Sequence, residues 1–502
     1  MFTYAKPAEV GVSAKQIKKY VGLLEKYGLS THSILMARGD KIFFEQYWEP
    51  FNKDFGHRLY SSTKSIVAIA VGFLVQDGKV SLDDRIVDYF QDVAPDDLCE
   101  NVSNQTIRDM LMMSTGFIIE RGSWFDDKPE DRAKLYFHRS SDSIERMKEK
   151  SKIPGMFFDY DSNGSFILGA LVERVSGKKL IEYLREKLFD KIGISEEAHF
   201  LECPGGYSWG DSAMVCTSMD FLKMARFTLN YGKVNGEQIL SEEYLREATS
   251  CLITNSRDGG VAFDKFGYGY QIWKTWNDSF FFNGMGSQFA VCVPKQDMIL
   301  VCNADNQHDP STGKIVVIDR FFEEIVETAS DSPIADDEEA ERELNEYCKT
   351  LKLRVAPGKT ESETVKKISG KTFILKENPM GMKKVKLTFD GDEGRFDYEN
   401  AQGEKTIRFG LGKNIFDLFP EEGYSRLVGS KLCPGNYYKC AASAGWIEKE
   451  KIGIMVQIID EYFGRLYITI NFRQDGKIAI FCRKNAEAFL NEYDGYADGV
   501  EE

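Results

Sequence analysis

A serine placed three residues ahead of a lysine on a helix can carry out acyl transfer. The two side chains share one face about one turn apart, and a neutral amine can take the hydroxyl proton as the oxygen attacks a carbonyl. This chain contains the pattern three times: Ser61-Ser62-Thr63-Lys64, Ser176-Gly177-Lys178-Lys179 and Ser311-Thr312-Gly313-Lys314. Context separates them. Ser176 and Ser311 have a glycine within the motif and stand at element ends, where Ser and Gly serve caps and turns, and their lysines read as solvated. Ser61 instead opens a run, Ile66, Val67, Ile69, Val71, Phe73, Leu74 and Val75, that is apolar all round and so predicts a buried helix. The start of such a helix offers N–H groups to an anion, and partial burial of the Lys64 amine favours its neutral form. The same residues also describe a capping serine with a lysine that snorkels to solvent. The tetrapeptide alone does not choose.

Longer stretches do. His57-Arg58-Leu59-Tyr60-Ser61-Ser62-Thr63-Lys64-Ser65, Gly78-Lys79-Val80-Ser81-Leu82-Asp83-Asp84 and Thr106-Ile107-Arg108-Asp109-Met110-Leu111-Met112-Met113-Ser114-Thr115-Gly116 follow one another. Pro154-Gly155, Phe158-Asp159-Tyr160-Asp161-Ser162-Asn163, Leu168-Gly169 and Val175-Ser176-Gly177 come next. Asn230-Tyr231-Gly232-Lys233-Val234-Asn235-Gly236, Gly267-Tyr268-Gly269-Tyr270 and Gly284-Met285-Gly286-Ser287-Gln288 complete the series. In order and spacing, residues 10 to 330 resemble the superfamily of serine β-lactamases, penicillin-binding proteins and family-VIII-like esterases.

The resemblance implies a mechanism and a set of residues. Ser61 is the nucleophile and Lys64 handles its proton. Tyr160-Asp161-Ser162 matches the family's second motif in its Tyr-x-Ser form, so Tyr160 would exchange a proton with Ser61 through Lys64; the other reading of Tyr160 is a core aromatic. Ser162 and Asn163 compete for the polar, substrate-facing role, and Asp161 is expected to stand behind the site or in solvent. The family's third motif, Lys-Thr-Gly or His-x-Gly, has no lysine-bearing counterpart here. Its place falls to Gly284, Met285 and Gly286, where a glycine backbone admits close approach by substrate. The N–H groups of Ser61 and Ser287 would then form the oxyanion hole. No cofactor and no metal is implied. Loss of that lysine removes a partner for a carboxylate and turns the expectation from β-lactams and cell-wall peptides towards a small neutral ester or amide. β-Lactamase or D-amino-acid peptidase activity, and a catalytically silent ligand-binding member of the fold, are the alternatives.

The elements that must position these residues are legible as patterns. Ser13 precedes a helix with Ile17, Tyr20, Val21 and Leu24 on one side. His32–Ala37 and Lys41–Tyr47 predict a hairpin through Arg38-Gly39-Asp40. Helices and loops occupy roughly residues 85 to 250. Phe280–Phe282, Phe289–Val293 and Met298–Cys302 are late strands, and Ile315–Val326 is an amphipathic helix. Strands at both ends around a helical middle predict an α+β, β-lactamase-like domain over residues 1–330: an antiparallel sheet flanked by helices with a helical insert. An acidic linker is expected over 331–354, where Ala335-Asp336-Asp337-Glu338-Glu339-Ala340-Glu341 solvates a connector or a short helix. From 355 to 502 short runs such as Thr372–Leu375, Lys384–Phe389, Ile454–Ile459 and Arg465–Phe472 predict an antiparallel β domain, either barrel or sandwich.

Composition narrows the partners. The 502 residues carry 64 Lys+Arg against 79 Asp+Glu, a formal charge of -15, which disfavours nucleic acid and anionic membrane surfaces. A small-molecule ester, amide or β-lactam-like substrate is expected instead. The first residues lack a basic segment followed by an apolar one, and the longest apolar run, Ile66 to Val75, is about half a membrane span. With ten cysteines in no paired spacing and only five histidines, the expectation is a cytoplasmic protein with reduced thiols. Nothing in the residues fixes an oligomeric state.

Overall fold

The computed structural model describes residues 2–116, 131–141, 152–255, 265–429, 432–473, 475–486 and 493–502. The chain divides into two compact units, Met1–Lys352 with Leu427–Gly429, and Leu353–Arg426 with Ser430–Glu502.

In the first unit, β1 (Thr3–Tyr4), β2 (Thr31–Arg38) and β3 (Lys41–Tyr47) come from the start of the chain, and β4 (Trp273–Lys274), β5 (Phe280–Gly284), β6 (Gln288–Val293) and β7 (Met298–Ala304) from far along it. They form one sheet in the order β1-β3-β2-β7-β6-β5-β4. β7 runs antiparallel to β2, with Leu300 opposite Met36 and Cys302 opposite Ile34, so the two ends of the unit are joined at the middle of the sheet, as the sequence predicts. α1 (Ala14–Lys26) buries Ile17, Tyr20, Val21 and Leu24 against Ile34, Met36, Val291 and Leu300 of the sheet and Phe321 and Ile325 beyond it. The expected helix at 315–326 forms as helical turns over Ile315–Asp319 and Phe322–Val326. α2 (Thr63–Gln76) is buried from Thr63 to Leu74, as its all-apolar pattern requires. α3 (Arg132–Ser141) and α4 (Ser162–Ser176) belong to the helical part between the two groups of strands.

One boundary differs from expectation. The segment read as an acidic linker or short helix contains α5 (Glu338–Cys348), which belongs to the first unit and is capped by Asp337, whose side chain accepts from the Ala340 N–H at 3.0 Å. Ala340, Leu344 and Cys348 recur every fourth residue and pack into the same core as α1. Its acids are paired as well: Asp337 with Lys15 at 2.9 Å and Glu343 with Lys18 at 2.8 Å. The run is acidic because it faces a basic side of α1, not because it is an unstructured connector.

The second unit is a barrel. Its strands are β8 (Thr372–Leu375), β9 (Lys384–Asp390), β10 (Glu393–Asn400), β11 (Gly403–Leu411), β12 (Ile415–Tyr424), β13 (Leu432–Glu448), β14 (Lys451–Ile459), β15 (Phe463–Phe472), β16 (Lys477–Ala486) and β17 (Gly495–Glu501). The order is β11-β10-β9-β8-β17-β16-β15-β14-β13-β12, and a parallel pairing of β11 with β13 closes nine strands, leaving β12 paired on the outside of β13. Alternation fixes the interior: Val385, Leu387, Phe396, Tyr398, Ile407 and Phe409 are buried while their neighbours face out. Among the described residues no helix is long and apolar enough to cross a membrane.

Candidate active site

Ser61 lies in a single 3-10 turn, Tyr60–Ser62, that leads straight into α2. Tyr60 takes φ 47°, a left-handed conformation costly for a bulky residue and typical of sites that hold a neighbour in a fixed pose. Arg58 supports it from behind, its guanidinium 4.5 Å from the Tyr60 ring centroid. Four hydroxyls cluster at this helix start, and three are committed to structure. Ser62 donates to the Gln288 carbonyl at 2.8 Å, Ser65 to the Gln271 carbonyl at 2.6 Å, and Thr63 accepts from the Met214 N–H at 3.2 Å. Ser61, half-buried, instead lies 3.0 Å from Lys64 Nζ. That amine is 1% exposed, so it does not snorkel, and it donates to the main-chain carbonyl of Asp211 at 2.7 Å. Ser61 is therefore the hydroxyl of the four that meets the amine.

The other two Ser-x-x-Lys motifs build no such pair. Ser176 ends α4, with Gly177 left-handed after it, and its hydroxyl accepts from the Lys178 N–H in the local turn, while the motif's lysine, Lys179, its side chain 41% exposed, is paired with Glu202 at 2.7 Å. Ser311 is exposed, and Lys314 is half-buried with its amine 5.8 Å from the Trp273 ring centroid.

Tyr160 is half-buried beside the pair. Its ring face is what meets the amine, the centroid 5.1 Å from Lys64 Nζ, with Trp273 5.8 Å away on the ring's flank. Asp161 is not in solvent: it is the N-cap of α4, accepting from the Gly164 N–H at 3.0 Å and from Thr115 Oγ1 at 3.2 Å. Burial raises its carboxyl above the ordinary carboxylate range, against the pull of those hydrogen bonds. Ser162, half-buried, begins α4, and Asn163 accepts from Arg132 Nη2 at 3.1 Å. Arg132 in turn meets Asp211 at 2.7 Å, so Asn163 joins the network behind Lys64.

The third expected motif is the turn between β5 and β6. Gly284 packs so closely on the main chain before Ser61 that a Cβ there would lie 2.2 Å from the Leu59 carbonyl oxygen; only glycine fits. Met285 is exposed, and Gly286 and Ser287 both have positive φ. The turn is held from behind. The Gly286 carbonyl accepts from the Asn306 N–H at 3.0 Å, the Met285 carbonyl from Gln288 Nε2 at 3.3 Å, and Ser287 Oγ from Asn306 Nδ2 at 3.2 Å. The fold thus brings Ser61, Lys64, Tyr160 and the 284–287 turn to one place.

Three supporting residues escaped the sequence reading, Asp211, Arg132 and Asn306, and Gln288 stands in it only as the end of a motif, without a role. Asp211 is 147 positions from Lys64, and its contribution is a main-chain carbonyl, which has no side-chain signature. Among the described residues no group of three or more His, Cys, Asp or Glu side chains converges where it could hold a metal ion.

The chain is 24% identical over 299 residues to a 6-aminohexanoate-dimer hydrolase of Paenarthrobacter ureafaciens, covering 56% of this chain and 74% of that one. Among solved structures it is similar to one described as "Putative 6-aminohexanoate-dimer hydrolase from Bacillus anthracis", with TM-score 0.50, 17% identity, and 64% and 86% of the two chains covered. It is also similar, at TM-score 0.49 and 14% identity over 61% of this chain and 98% of the other, to "EstCE1, a hydrolase with promiscuous acyltransferase activity". A sequence model of the beta-lactamase family matches residues 17–315, which hold the whole sheet but β1 and every residue of the candidate site, and the chain belongs to that family.

Proposed function

We propose that this beta-lactamase-family hydrolase works by an acyl-enzyme mechanism on a small ester or amide, with Ser61 as nucleophile. The observation that carries the reading is the 3.0 Å approach of Ser61 Oγ to a buried Lys64 amine that is itself anchored on the Asp211 carbonyl. Ser61 Oγ attacks the substrate carbonyl and its proton passes to Lys64. The tetrahedral oxyanion is held by the N–H groups of Ser61 and Ser287. Its collapse expels an alcohol or amine, which receives the proton from the Lys64–Tyr160 pair. Water then attacks the acyl-enzyme by the reverse proton path and releases the acid. Gly284, Met285 and Gly286 give the substrate a backbone wall, and the polar edge falls to Ser162, since the Asn163 oxygen is taken by Arg132.

Two features favour ester or amide over β-lactam. The 284–287 turn carries no cation for a ring carboxylate, and the hydrolase from Paenarthrobacter ureafaciens is named for an amide substrate. The test is a panel of short-chain p-nitrophenyl esters, 6-aminohexanoate dimer and nitrocefin, each measured with wild-type protein and with Ser61→Ala. The ester or the amide should be turned over with at least about tenfold higher kcat/KM than nitrocefin, and Ser61→Ala should abolish all turnover. Comparable values for ester and nitrocefin, or activity surviving in Ser61→Ala, would sink the reading.

A further inference from the structure

The mechanism above uses Lys64 but leaves the ion pair behind it without a task. Arg132 and Asp211 meet at 2.7 Å with side chains only 9% and 2% exposed. A buried pair of this kind costs desolvation, and an apolar replacement of similar volume is often as stable or more so. Stability is therefore a weak reason for its presence next to a nucleophile.

The pair is tied to the site at three points. The Asp211 carbonyl holds Lys64 Nζ at 2.7 Å. Arg132 Nη2 donates to Asn163 Oδ1 at 3.1 Å. Its guanidinium also lies 4.2 Å from the Phe166 ring centroid on α4. Residue 211 sits just before Met214–Cys216, a short strand that pairs antiparallel with His57–Arg58, and the Leu59 N–H bonds the Met214 carbonyl at 2.8 Å. A shift of Asp211 would thus move the lysine's acceptor relative to the segment that carries Ser61.

We propose that Arg132 and Asp211 are positioning residues that fix both the place and the charge surroundings of the Lys64 amine. The inference rests on the reading of Lys64 as the group that takes the Ser61 proton. Around Lys64 stand the Ser61 hydroxyl and the Tyr160 ring, with Asp211 and Arg132 behind. Asp161 caps α4, Arg58 is bonded to the Ser212 carbonyl at 3.0 Å, and Cys203 lies 3.5 Å from Arg132. Arg132 and Asp211 offer opposite charges side by side. Deleting one leaves the other unbalanced near the amine, where a cation disfavours the protonated lysine and an anion favours it.

The experiment follows labelling of the full-length protein by a fluorophosphonate probe as a function of pH, with the fold of each variant checked by circular dichroism. Asp211→Asn should move the acidic limb of the rate profile down by about one pH unit, and Arg132→Gln should move it up by about as much. The double variant should return it to the wild-type position, and Arg132→Lys, which keeps the charge, should leave it there. A purely structural role predicts lower melting temperatures and slower labelling but no opposed shifts, and that result overturns the inference. If either single variant fails to fold, Arg132→Lys and Asp211→Glu decide. Labelling slowed about threefold or more with the melting temperature unchanged supports the positioning role, and slower labelling with a lowered melting temperature, or wild-type rates in both, overturns it. A wild-type protein that does not label, or a Ser61→Ala variant that does, strikes the reading of Lys64 and this inference with it. Ser61-dependent labelling with unmoved limbs strikes the inference alone.

Discussion

In the first unit Arg132 meets Asp211 at 2.7 Å, and in the second Lys405 meets Glu421 at 2.9 Å; both pairs are largely closed off from water. Their surroundings differ. In the barrel, Glu421 also accepts from Tyr398 at 3.0 Å, from Asn400 at 3.2 Å and from Tyr493, and Lys405 also donates to the Pro420 carbonyl at 3.0 Å. Burial together with the neighbouring Tyr398 and Glu421 pushes the Tyr493 phenol well above its ordinary range. Every strong group there is used up by another. Behind the hydrolase site, Asp211 offers a main-chain oxygen to a lysine, and that lysine leans on the half-buried hydroxyl of Ser61. Burial of charge is common to a structural plug and a reactive centre. What separates them is the Ser61 hydroxyl at the edge of the network, the group proposed as the nucleophile.

The largest effect should come from removing the lysine on each side. Lys64→Met should lower kcat/KM for an activated ester by about a thousandfold, because the proton acceptor is gone. Lys405→Met should leave kcat/KM within about twofold while costing about 3 kcal/mol, because Glu421 keeps its charge without its cation. Parallel ester kinetics and urea titrations check both, and a barrel variant that loses activity without losing stability breaks the contrast.

A third buried titratable group sharpens it. His57 sits among Phe51, Phe55 and His32, at ring centroid distances of 5.6, 4.8 and 5.5 Å, and burial lowers its pKa to about 3. Its ordinary pKa is about 6.5, so between those values the unfolded chain binds a proton that the folded one refuses. Stability from this group is complete above about pH 6.5 and is lost as pH falls, at about 1.4 kcal/mol per pH unit. Urea midpoints measured from neutral to mildly acid pH should decline accordingly, and His57→Gln should flatten the decline. An unchanged slope in the variant would refute the assignment.

The smallest effect concerns one hydroxyl. Tyr493→Phe removes a donor from Glu421 that Tyr398, Asn400 and Lys405 can partly replace, so a loss of about 1 kcal/mol is expected in a thermal melt, with labelling of Ser61 unchanged. A slower labelling rate would tie the barrel cluster to the site.

What the chain announces by itself is local chemistry and periodicity. The apolar run after Ser61 could only be a buried helix, and the Ile17, Tyr20, Val21 and Leu24 spacing could only cover a sheet face. Alternation at 384–389 and 465–472 could only be strands with an inside and an outside. Ser61, Lys64, Tyr160 and Gly284–Ser287 are picked out by the resemblance of long stretches to a family, since a Ser-x-x-Lys motif, a tyrosine or a glycine turn has other uses, and the structure brings them near one another. Other features were not legible. The strands Glu393–Asn400 and Leu432–Glu448 are not among the predicted runs: the first sets charged residues between those it buries, and the second buries Cys440 to Trp446 without a break, so neither shows a simple apolar alternation. Ala340, Leu344 and Cys348 were hidden among acids whose partners lie on α1, hundreds of positions away. The contact that holds Lys64 was the least visible of all. It is made by a backbone carbonyl, and every residue has one; only the tertiary structure decides which carbonyl meets the amine.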